Sequence, residues 1–463
     1  MTFDELIVRF PPSPTGHLHI GSAKIALINY LYAKQNGGKL LIRIEDTDKA
    51  RSSEEFTKSI FEGLKWLGIT YDDEPVIQSS RLDRHKEIAL DLLKNDKAYY
   101  CFCSQQELAE MRESQDIPRY NKKCRNLTHE QIGELLKTIK PTIRLKVPEE
   151  DSYVEINDLI LEHSKVHYDQ LDDFIILKSD SSPTYMLSVV VDDHDYKISH
   201  ILRGSDHFTN TFRQIMLYQL CGWDIPTFGH IPLMCGDDGK KLSKRHGATS
   251  LADYSKLGYL PESIKIYLTT MHDTKNIHKC NSFDDVLKTF DIKKISKSMP
   301  RFDINFLNVI NQNQMMLSDK HFIANLICDE LCKTFEDPID VSIILSQYAY
   351  TDIVSRSKNI IECANLASIY YKSEFDPSKH TDLDISLFPH LVEITLCDYA
   401  SLDSLKKSIG SYIKNNKLVP KQIFDGLRII LTGRDNCPPL YNLMMAIGNK
   451  EVARRINTAW TSV

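Results

Sequence analysis

The chain has 463 residues, of which 42% are hydrophobic and 26% charged, and its formal net charge is −6. This length predicts about two to four domains, and the composition is typical of a soluble globular protein. No apolar run approaches membrane-spanning length, and the first residues include Asp4 and Glu5 rather than a basic leader, so we expect a cytoplasmic protein that binds no membrane. Eleven scattered cysteines, an odd number, indicate reduced thiols rather than a disulfide framework.

The first unit of the chain is predicted to be a strand, a polar loop and a helix. Residues 6–10 form a short apolar run, and an amphipathic pattern begins at Gly21 and ends at residues 36–38. The free N–H groups at the start of such a helix stabilise an anion, and a glycine there lets a ligand approach the backbone closely. His17 and His19 alternate in the loop and should project to different sides, so one of them can contact the ligand.

The next elements predict a parallel sheet. Residues 39–44 read as a strand, and helices are expected over 53–67, with Ser53 as N-cap, and over 81–94. Ligands of such sheets bind beyond the carboxyl ends of the strands, where Ser13, His19 and Glu45 fall.

The alternation of strand and helix then lapses and later resumes. Residues 104–137 contain polar helical pieces, and this part of the chain resembles an inserted domain. Strands are expected there at 142–147, 153–156, 174–177 and 185–191. The parallel pattern resumes with a strand at 198–203, a helix at 209–221 and a strand at 228–233. From residue 252 onward the pattern predicts only helices, and 420–431 is a clear example.

A second loop, residues 236–245, is rich in glycine and lysine. A mobile loop with lysines on both sides of a serine can close over a triphosphate and neutralise charge as pyrophosphate leaves. Such a short cationic motif is by itself most often a solvated turn. Its place after the point where the parallel pattern resumes makes the functional interpretation the stronger one.

The two loops together carry a resemblance to a known family. Residues 9–22, with the core Pro-Ser-Pro-Thr-Gly-x-Leu-His-Ile-Gly, resemble the HIGH signature of class I aminoacyl-tRNA synthetases in its glutamyl-tRNA synthetase form. Residues 241–245, Lys-Leu-Ser-Lys-Arg, resemble the KMSKS signature of the same class. Ser22 stands for the last histidine of the first signature, and Pro11 replaces a small residue, a change that would reshape the amino-acid pocket.

The resemblance covers nearly the whole chain and implies a fold and an activity. The implied fold is α/β: a Rossmann-like catalytic domain (1–98 and 195–251), an inserted acceptor-end-binding domain (99–194), a helical connecting domain (252–320) and an all-α anticodon-binding domain (321–463). The implied enzyme, a monomer, uses ATP with Mg²⁺ to activate L-glutamate and passes the glutamyl group to the terminal adenosine of tRNA(Glu).

Other activities stay open at this point. They are a duplicate or non-discriminating form that charges tRNA(Gln), and a non-catalytic tRNA-binding paralogue; intact His19, Lys241 and Lys244 count against the paralogue. A glutaminyl enzyme should end in β-barrels, whereas this tail reads as helical, and a glutamyl-queuosine enzyme lacks the anticodon domain.

The resemblance also assigns residues. It implies catalytic roles for His19, Lys241 and Lys244. For ATP it implies Ser13, Thr15, Gly16, His19, Gly21, Ser22, Lys241, Ser243 and Lys244. For glutamate it implies Arg9, Ser13, Glu45, Tyr185 and Arg203. An arginine at position 203 suits a substrate carboxylate better than an amide. In the simpler interpretation, Arg203 only pairs with Asp206 and Glu45 only caps a turn.

A structural zinc site is a further prediction. Residues 99–103 read as a strand, which places the sulfurs of Cys101 and Cys103 on one side. Cys-x-Cys followed by Tyr120 and Cys124 resembles the zinc-binding pattern found in many glutamyl-type enzymes. Zinc accepts three thiolates and one oxygen or nitrogen ligand, although the same cysteines could also form a metal-free knuckle.

Overall fold

The computed structural model describes residues 3–113, 120–242, 250–272, 281–336, 338–380, 383–434 and 437–462. The chain divides into two compact units. The first contains residues 1–253 and 265–303, and the second contains Tyr254–Ile264 and Ile304–Val463. The division into four segments that the sequence predicts is finer than this and stays a prediction.

The first unit begins with parallel strands and helices. Its opening elements are β1 (Ile7–Phe10), α1 (Ile20–Gln35), β2 (Lys39–Ile44), α2 (Glu54–Trp66), β3 (Val76–Ile77), α3 (Leu82–Lys94) and β4 (Ala98–Cys101). The order β1-β2-β3 is parallel, with Ile7 opposite Lys39. Ser53 caps α2 by accepting a hydrogen bond from the N–H of Phe56, as predicted.

A segment of antiparallel strands follows. Its elements are α4 (Gln105–Glu113), α5 (His129–Leu136), β5 (Thr142–Leu145), β6 (Tyr153–Asp158), β7 (Glu162–His167) and β8 (Ile175–Leu177). The order β4-β5-β8 is antiparallel, and β6 and β7 form a hairpin. The alternating burial of β6 shows that one face of the hairpin packs against the core and the other faces solvent.

The parallel pattern resumes where the sequence predicts it. The elements are α6 (Tyr185–Asp195), β9 (His200–Gly204), α7 (Phe208–Cys221) and β10 (Thr227–Ile231). Strands β9 and β10 are parallel, and the N–H of Ser199 donates to the carbonyl of Ile7 at 3.0 Å, which ties this pair to β1. The carboxyl ends of β1, β2 and β9 lead into Pro11, Glu45 and Ser205.

One predicted element is wrong. The run at 185–191 is the start of helix α6 and not a strand. The three valines at 189–191 resemble a strand because β-branched residues favour strands. However, Leu187 through Asp193 are all buried, so the helix has no exposed face in this stretch to give it a 3.6-residue pattern.

The remaining elements are helices, as predicted. They are α8 (Leu251–Lys256), α9 (Pro261–Thr270), α10 (Phe283–Thr289), α11 (Ile304–Leu317), α12 (Lys320–Leu331), α13 (Val341–Leu345), α14 (Tyr350–Ser355), α15 (Ile360–Tyr371), α16 (Phe388–Ile394), α17 (Leu402–Asn415), α18 (Pro420–Thr432) and α19 (Leu440–Ser462). Gly433 ends α18 in the left-handed conformation, with φ 69°, and Gly448 interrupts α19 with φ 78°.

The second unit has a hydrophobic core of its own. It includes Ile323, Ile353, Phe388, Leu427 and Met444, all fully buried. Leu260, from the short stretch Tyr254–Ile264, belongs to the same core. None of the helices that the structure describes is long and apolar enough to cross a membrane.

Candidate functional site

A cavity of about 670 Å³ opens in the first unit, beyond the carboxyl ends of β1, β2 and β9. Ten of the predicted site residues line it: Arg9, Ser13, Thr15, His19, Gly21, Ser22, Glu45, Tyr185, Arg203 and Lys241. Gly16 does not line the cavity. Ser243 and Lys244 lie outside the described residues.

The N-terminus of α1 forms one wall of the cavity. His19 is the N-cap of this helix, and its Nδ1 accepts a hydrogen bond from the N–H of Gly21 at 3.0 Å. Burial, and to a smaller extent the nearby Lys241, lowers the pKa of His19. The ring is therefore neutral, with its proton on Nε2, and it can donate one hydrogen bond to a ligand. His17 lies elsewhere, with its Nδ1 3.0 Å from Ser59 Oγ and its ring against Phe56.

Arg9 is held by a buried network behind the cavity. Its Nε donates to both oxygens of Asp193 at 3.2 Å, and Arg43 Nη1 donates to the same carboxylate at 2.5 Å. Arg43 Nη2 also donates to Glu45 at 3.0 Å. Among the described residues, Arg9 Nη1 is buried without a hydrogen-bond partner. A carboxylate ligand could satisfy this donor.

Burial decides the direction of the pKa shift for Glu45 but not for its partner Arg43. Burial raises the pKa of Glu45, although the Arg43 charge opposes this shift. Burial also opposes the charge on Arg43, but the carboxylates of Asp193, Glu45 and Asp192 outweigh it and raise the pKa of the guanidinium. Glu45 thus acts as an ion-pair partner, and the interpretation of it as only a turn cap falls short of its observed contacts.

Arg203 forms another wall and is equally buried, but its partners are neutral. Its Nε donates to His230 Nε2 at 3.1 Å, and its Nη2 donates to Thr211 Oγ1 at 2.7 Å. Its Nη1 is buried and has no hydrogen-bond partner in the described part of the chain. Burial lowers the pKa of Arg203, as expected of a cation without a carboxylate in direct contact. Asp206, the partner considered from the sequence, pairs instead with Lys241 at 2.9 Å.

Tyr185 and Lys24 complete the polar lining. The hydroxyl of Tyr185 lies 3.3 Å from His207 Nδ1, and burial raises the pKa of the tyrosine. Lys24 projects from α1 into the interior, where its Nζ donates to the carbonyl of Pro232 at 2.7 Å. Burial lowers the pKa of Lys24 to about 7.

The second predicted site is also assembled. The sulfurs of Cys101, Cys103 and Cys124 lie within 4.8 Å of one another, and the Tyr120 hydroxyl is 3.4 Å from Cys101 and 3.9 Å from Cys103. Strand β4 ends at Cys101, so the juxtaposition survives although the strand is shorter than predicted. The guanidinium of Arg144 lies 3.8 Å from the centre of the Tyr120 ring.

The electrostatics of this cluster favour a thiolate. Hydrogen bonds from Cys124 and then from Tyr120, against the effect of burial, lower the pKa of Cys101 to about 4. The pKa of Cys124 is raised, because its thiol donates to Cys101 and is buried. Three sulfurs and one hydroxyl are a donor set that fits tetrahedral zinc.

Several functional neighbours escaped prediction from the sequence, chiefly Arg43, Asp193 and Lys24. A signal existed for Arg43, because a charged residue within an apolar strand such as 39–44 needs a buried partner. Asp193 lies two residues beyond the strand predicted at 185–191, and only the helical course of α6 brings it to Arg9 and Arg43.

Known proteins resemble this chain over its full length. Residues 5–309 match the family described as "tRNA synthetases class I (E and Q), catalytic domain", and residues 347–460 match the family described as "Anticodon binding domain". Glutamate--tRNA ligase 1 of Bartonella henselae is 39% identical, covering 98% of this chain and 96% of the relative. Glutamate--tRNA ligase 2 of Wolbachia pipientis subsp. Culex pipiens is 36% identical, covering 97% and 99%.

A solved structure is similar in fold as well. The crystal structure of a glutamate tRNA ligase from Elizabethkingia meningosepticum, in complex with its amino acid, is 30% identical and has a TM-score of 0.88. The similarity covers 99% of this chain and 100% of that one.

Proposed function

The chain belongs to the class I tRNA synthetases for glutamate and glutamine, and from this premise we propose that it is a glutamate–tRNA ligase. In this activity ATP and L-glutamate give glutamyl-adenylate and pyrophosphate, and the glutamyl group then passes to the terminal adenosine of tRNA(Glu).

One observation carries the proposal: a single cavity joins a helix N-terminus suited to phosphate with buried arginine donors suited to carboxylate. Arg203 supports glutamate over glutamine. A neutral amide would leave its buried charge uncompensated, whereas the side-chain carboxylate of glutamate would pair with it.

The glutamate roles follow from these contacts. Arg203 and Arg9 each have a buried Nη1 for which the described residues offer no hydrogen-bond partner, and both line the cavity. Glu45, which also lines it, would receive the substrate ammonium. Ser13 and Tyr185 would complete the hydrogen bonds to the amino acid.

Activation requires positioning and charge stabilisation more than proton transfer. An oxygen of the glutamate α-carboxylate attacks the α-phosphorus of ATP, the bond to the β-phosphate oxygen breaks, and pyrophosphate leaves with the electron pair. The Nε2–H of neutral His19 and the ammonium of Lys241 would stabilise the charge that develops on the phosphates. Mg²⁺ bound to ATP would supply further positive charge, and Ser13, Thr15, Gly16, Gly21, Ser22, Ser243 and Lys244 would complete the nucleotide site.

Transfer needs a second substrate, the tRNA. A hydroxyl of its terminal ribose attacks the carbonyl carbon of the adenylate, the bond from that carbon to the phosphate oxygen breaks, and AMP leaves while the hydroxyl proton passes to its phosphate. We assign the acceptor end to residues 99–194 and the anticodon to residues 321–463, and the match to an anticodon-binding family over 347–460 supports the second assignment. That the chain acts as a monomer stays a prediction.

We also propose that Cys101, Cys103 and Cys124, with Tyr120, hold one zinc ion. The low pKa of the Cys101 thiol and the proximity of the three sulfurs support this. Zinc would crosslink the end of β4 to residues 120–124, and its role would be structural.

The experiment that tests the proposed function is aminoacylation with labelled glutamate, using purified tRNA(Glu) and tRNA(Gln) separately. Charging of tRNA(Glu) alone identifies a discriminating ligase, and charging of both identifies a non-discriminating one. Charging of tRNA(Gln) alone, or of neither, would overturn the proposal.

A further inference from the structure

A line of three buried side chains runs away from the cavity behind Arg203. Its Nε lies 3.1 Å from His230 Nε2, and His230 Nδ1 lies 2.6 Å from Asp158 Oδ2. All three residues are buried, with exposed fractions of 5%, 0% and 6%. Arg203 lines the cavity, His230 is on β10, and Asp158 ends β6. Asp158, which lies in the segment predicted to bind the acceptor end, is thus linked through His230 to Arg203 in the proposed glutamate pocket.

The donors and acceptors in this line fix the tautomer of His230. A guanidinium N–H can only donate, so Nε2 of His230 must accept from Arg203 and carry no proton. The ring proton is therefore on Nδ1, and it is donated to Asp158. Burial lowers the pKa of His230, against the hydrogen bond with Asp158 that raises it, which agrees with a neutral ring.

Asp158 is itself fixed in orientation. Its Oδ1 accepts three backbone hydrogen bonds, from the N–H groups of Ile160 at 2.9 Å, Leu161 at 2.8 Å and His230 at 3.1 Å. Only Oδ2 is left to face the histidine ring. These donors, together with the hydrogen bond from the ring, outweigh burial and lower the pKa of the carboxyl group.

The geometry points to Asp158 and His230 as positioning residues that select glutamate. They hold Arg203 Nε while Thr211 holds Nη2, so that Nη1 is the donor kept for the side-chain carboxylate of the substrate. This inference rests on the proposed function, and it adds a specificity role for two residues outside the signature loops. The same line couples the β6–β7 hairpin to the amino-acid pocket.

An Asp158→Asn variant tests the tautomer directly. The three backbone donors keep the amide oxygen in the place of Oδ1, so the amide nitrogen takes the place of Oδ2 and donates to His230 Nδ1. The ring proton then moves to Nε2, where it opposes the Arg203 Nε–H. A wrong tautomer imposed by such a change is strongly damaging in other Asp–His pairs. We expect KM for glutamate to rise about tenfold or more while KM for ATP changes less than about twofold.

Two histidine variants separate the two contacts. His230→Gln can present an acceptor near the former Nε2 and so retain the bond from Arg203, whereas His230→Asn places its amide near the former Nδ1 and retains only the contact with Asp158. The glutamate KM of His230→Gln should therefore lie closer to that of the wild type. Val154→Ala, a truncation of a fully buried residue on the same strand β6, is the control for general destabilisation of the hairpin.

The measurements are pyrophosphate exchange with tRNA(Glu) present and long-range ¹H–¹⁵N spectra of the labelled histidine rings. The His230 signals are assigned by their loss in His230→Gln. Wild-type protein should show a protonated Nδ1, and Asp158→Asn should show a protonated Nε2. The inference is overturned if Asp158→Asn matches Val154→Ala in its glutamate KM, if the KM values for ATP and glutamate rise together, or if the wild-type ring is protonated on Nε2. Wild-type protein that exchanges no pyrophosphate with glutamate would overturn the proposed function and the selecting role, while the spectra still decide the tautomer.

Discussion

The same substitution at two buried arginines beside one cavity should affect stability at one position and glutamate binding at the other. Arg43 contacts the carboxylates of Asp193 and Glu45, at 2.5 and 3.0 Å, whereas the hydrogen-bond partners of Arg203 among the described residues are neutral. Arg43→Gln would remove the cation that Glu45 contacts and would leave Asp193 with Arg9 alone. Breaking a buried ion pair in this way costs about 3–5 kcal/mol of the free energy of unfolding.

Arg203→Gln removes a cation that no described carboxylate contacts directly. The lost hydrogen bonds cost about 1.5–3 kcal/mol each, and relief from burying an uncompensated charge returns several kcal/mol. We therefore expect the free energy of unfolding of Arg203→Gln to lie within about 1 kcal/mol of that of the wild type. Glutamate binding should suffer instead, because the substrate carboxylate loses a charged donor worth about 2 kcal/mol, or roughly a 30-fold rise in KM.

Urea unfolding followed by circular dichroism measures the first effect, and pyrophosphate exchange over a range of glutamate concentrations measures the second. The reasoning is refuted if Arg203→Gln lowers the free energy of unfolding as much as Arg43→Gln does. It is equally refuted if Arg203→Gln leaves the glutamate KM unchanged.

Three further changes should have measurable effects. Gly21→Ala places a Cβ 3.1 Å from Nδ1 of the histidine that caps α1, so we expect KM for ATP in pyrophosphate exchange to rise about tenfold. A Cβ at Gly16 meets no atom of the described residues within 4 Å, so Gly16→Ala should change KM for ATP by less than about twofold. Lys24→Met should raise the free energy of unfolding in urea by about 2–4 kcal/mol at pH 7 and far less at pH 10. The reason is that the wild-type amine has a pKa of about 7 in the folded protein and 10.5 in the unfolded chain. The wild type therefore gains stability as pH rises from about 7 to 10.5, whereas the methionine variant does not. Elemental analysis of the purified proteins should find zinc in the wild type and none in Cys124→Ser. Cys221→Ser, which changes a cysteine outside the cluster, should retain the zinc.

Each of these predictions has an outcome that contradicts it. Equal ATP KM values for the two alanine variants would mean that the approach to the helix N-terminus is not restricted by the Cβ. A Lys24→Met variant whose stability gain is the same at pH 7 and pH 10 would show that the buried amine does not titrate between those values. Zinc retained in Cys124→Ser, or absent from the wild type, would argue for a metal-free knuckle.

The parallel framework could be predicted because local patterns specify it. The strand at 39–44 coincides with β2, and the cap at Ser53 and the stop at Gly433 lie where the residue types require them. These signals depend on neighbours in the sequence, such as an N-cap side chain or a glycine that tolerates positive φ. The run at 185–191 was wrong because its burial depends on the tertiary structure, which local patterns do not encode.

The residues that line the site could be predicted from the sequence, but the hydrogen bonds and ion pairs that orient them could not. The family resemblance pointed to Arg9, Glu45 and Arg203, and all three line one cavity. The network that orients them joins Arg9 to Asp193, 184 positions away, and Arg203 to His230. Such pairs are set by how the strands and helices pack, so no spacing along the chain reveals them. The roles of these residues toward ATP and glutamate stay proposals.

The interleaving of the two units has a consequence for anyone who cuts or recombines this protein. Leu260 belongs to the helical core of the second unit, and the Gly258 carbonyl accepts a hydrogen bond from the N–H of Ile360 in the same unit. Gly258 and Leu260 nevertheless precede Lys265–Asp303, which belongs to the first unit. A fragment that begins at Ile304 would lack a buried leucine worth about 1.5–3 kcal/mol. A chimera that exchanges the helical region between relatives therefore needs three junctions, at 253/254, 264/265 and 303/304, so that Tyr254–Ile264 travels with the helices on which it packs.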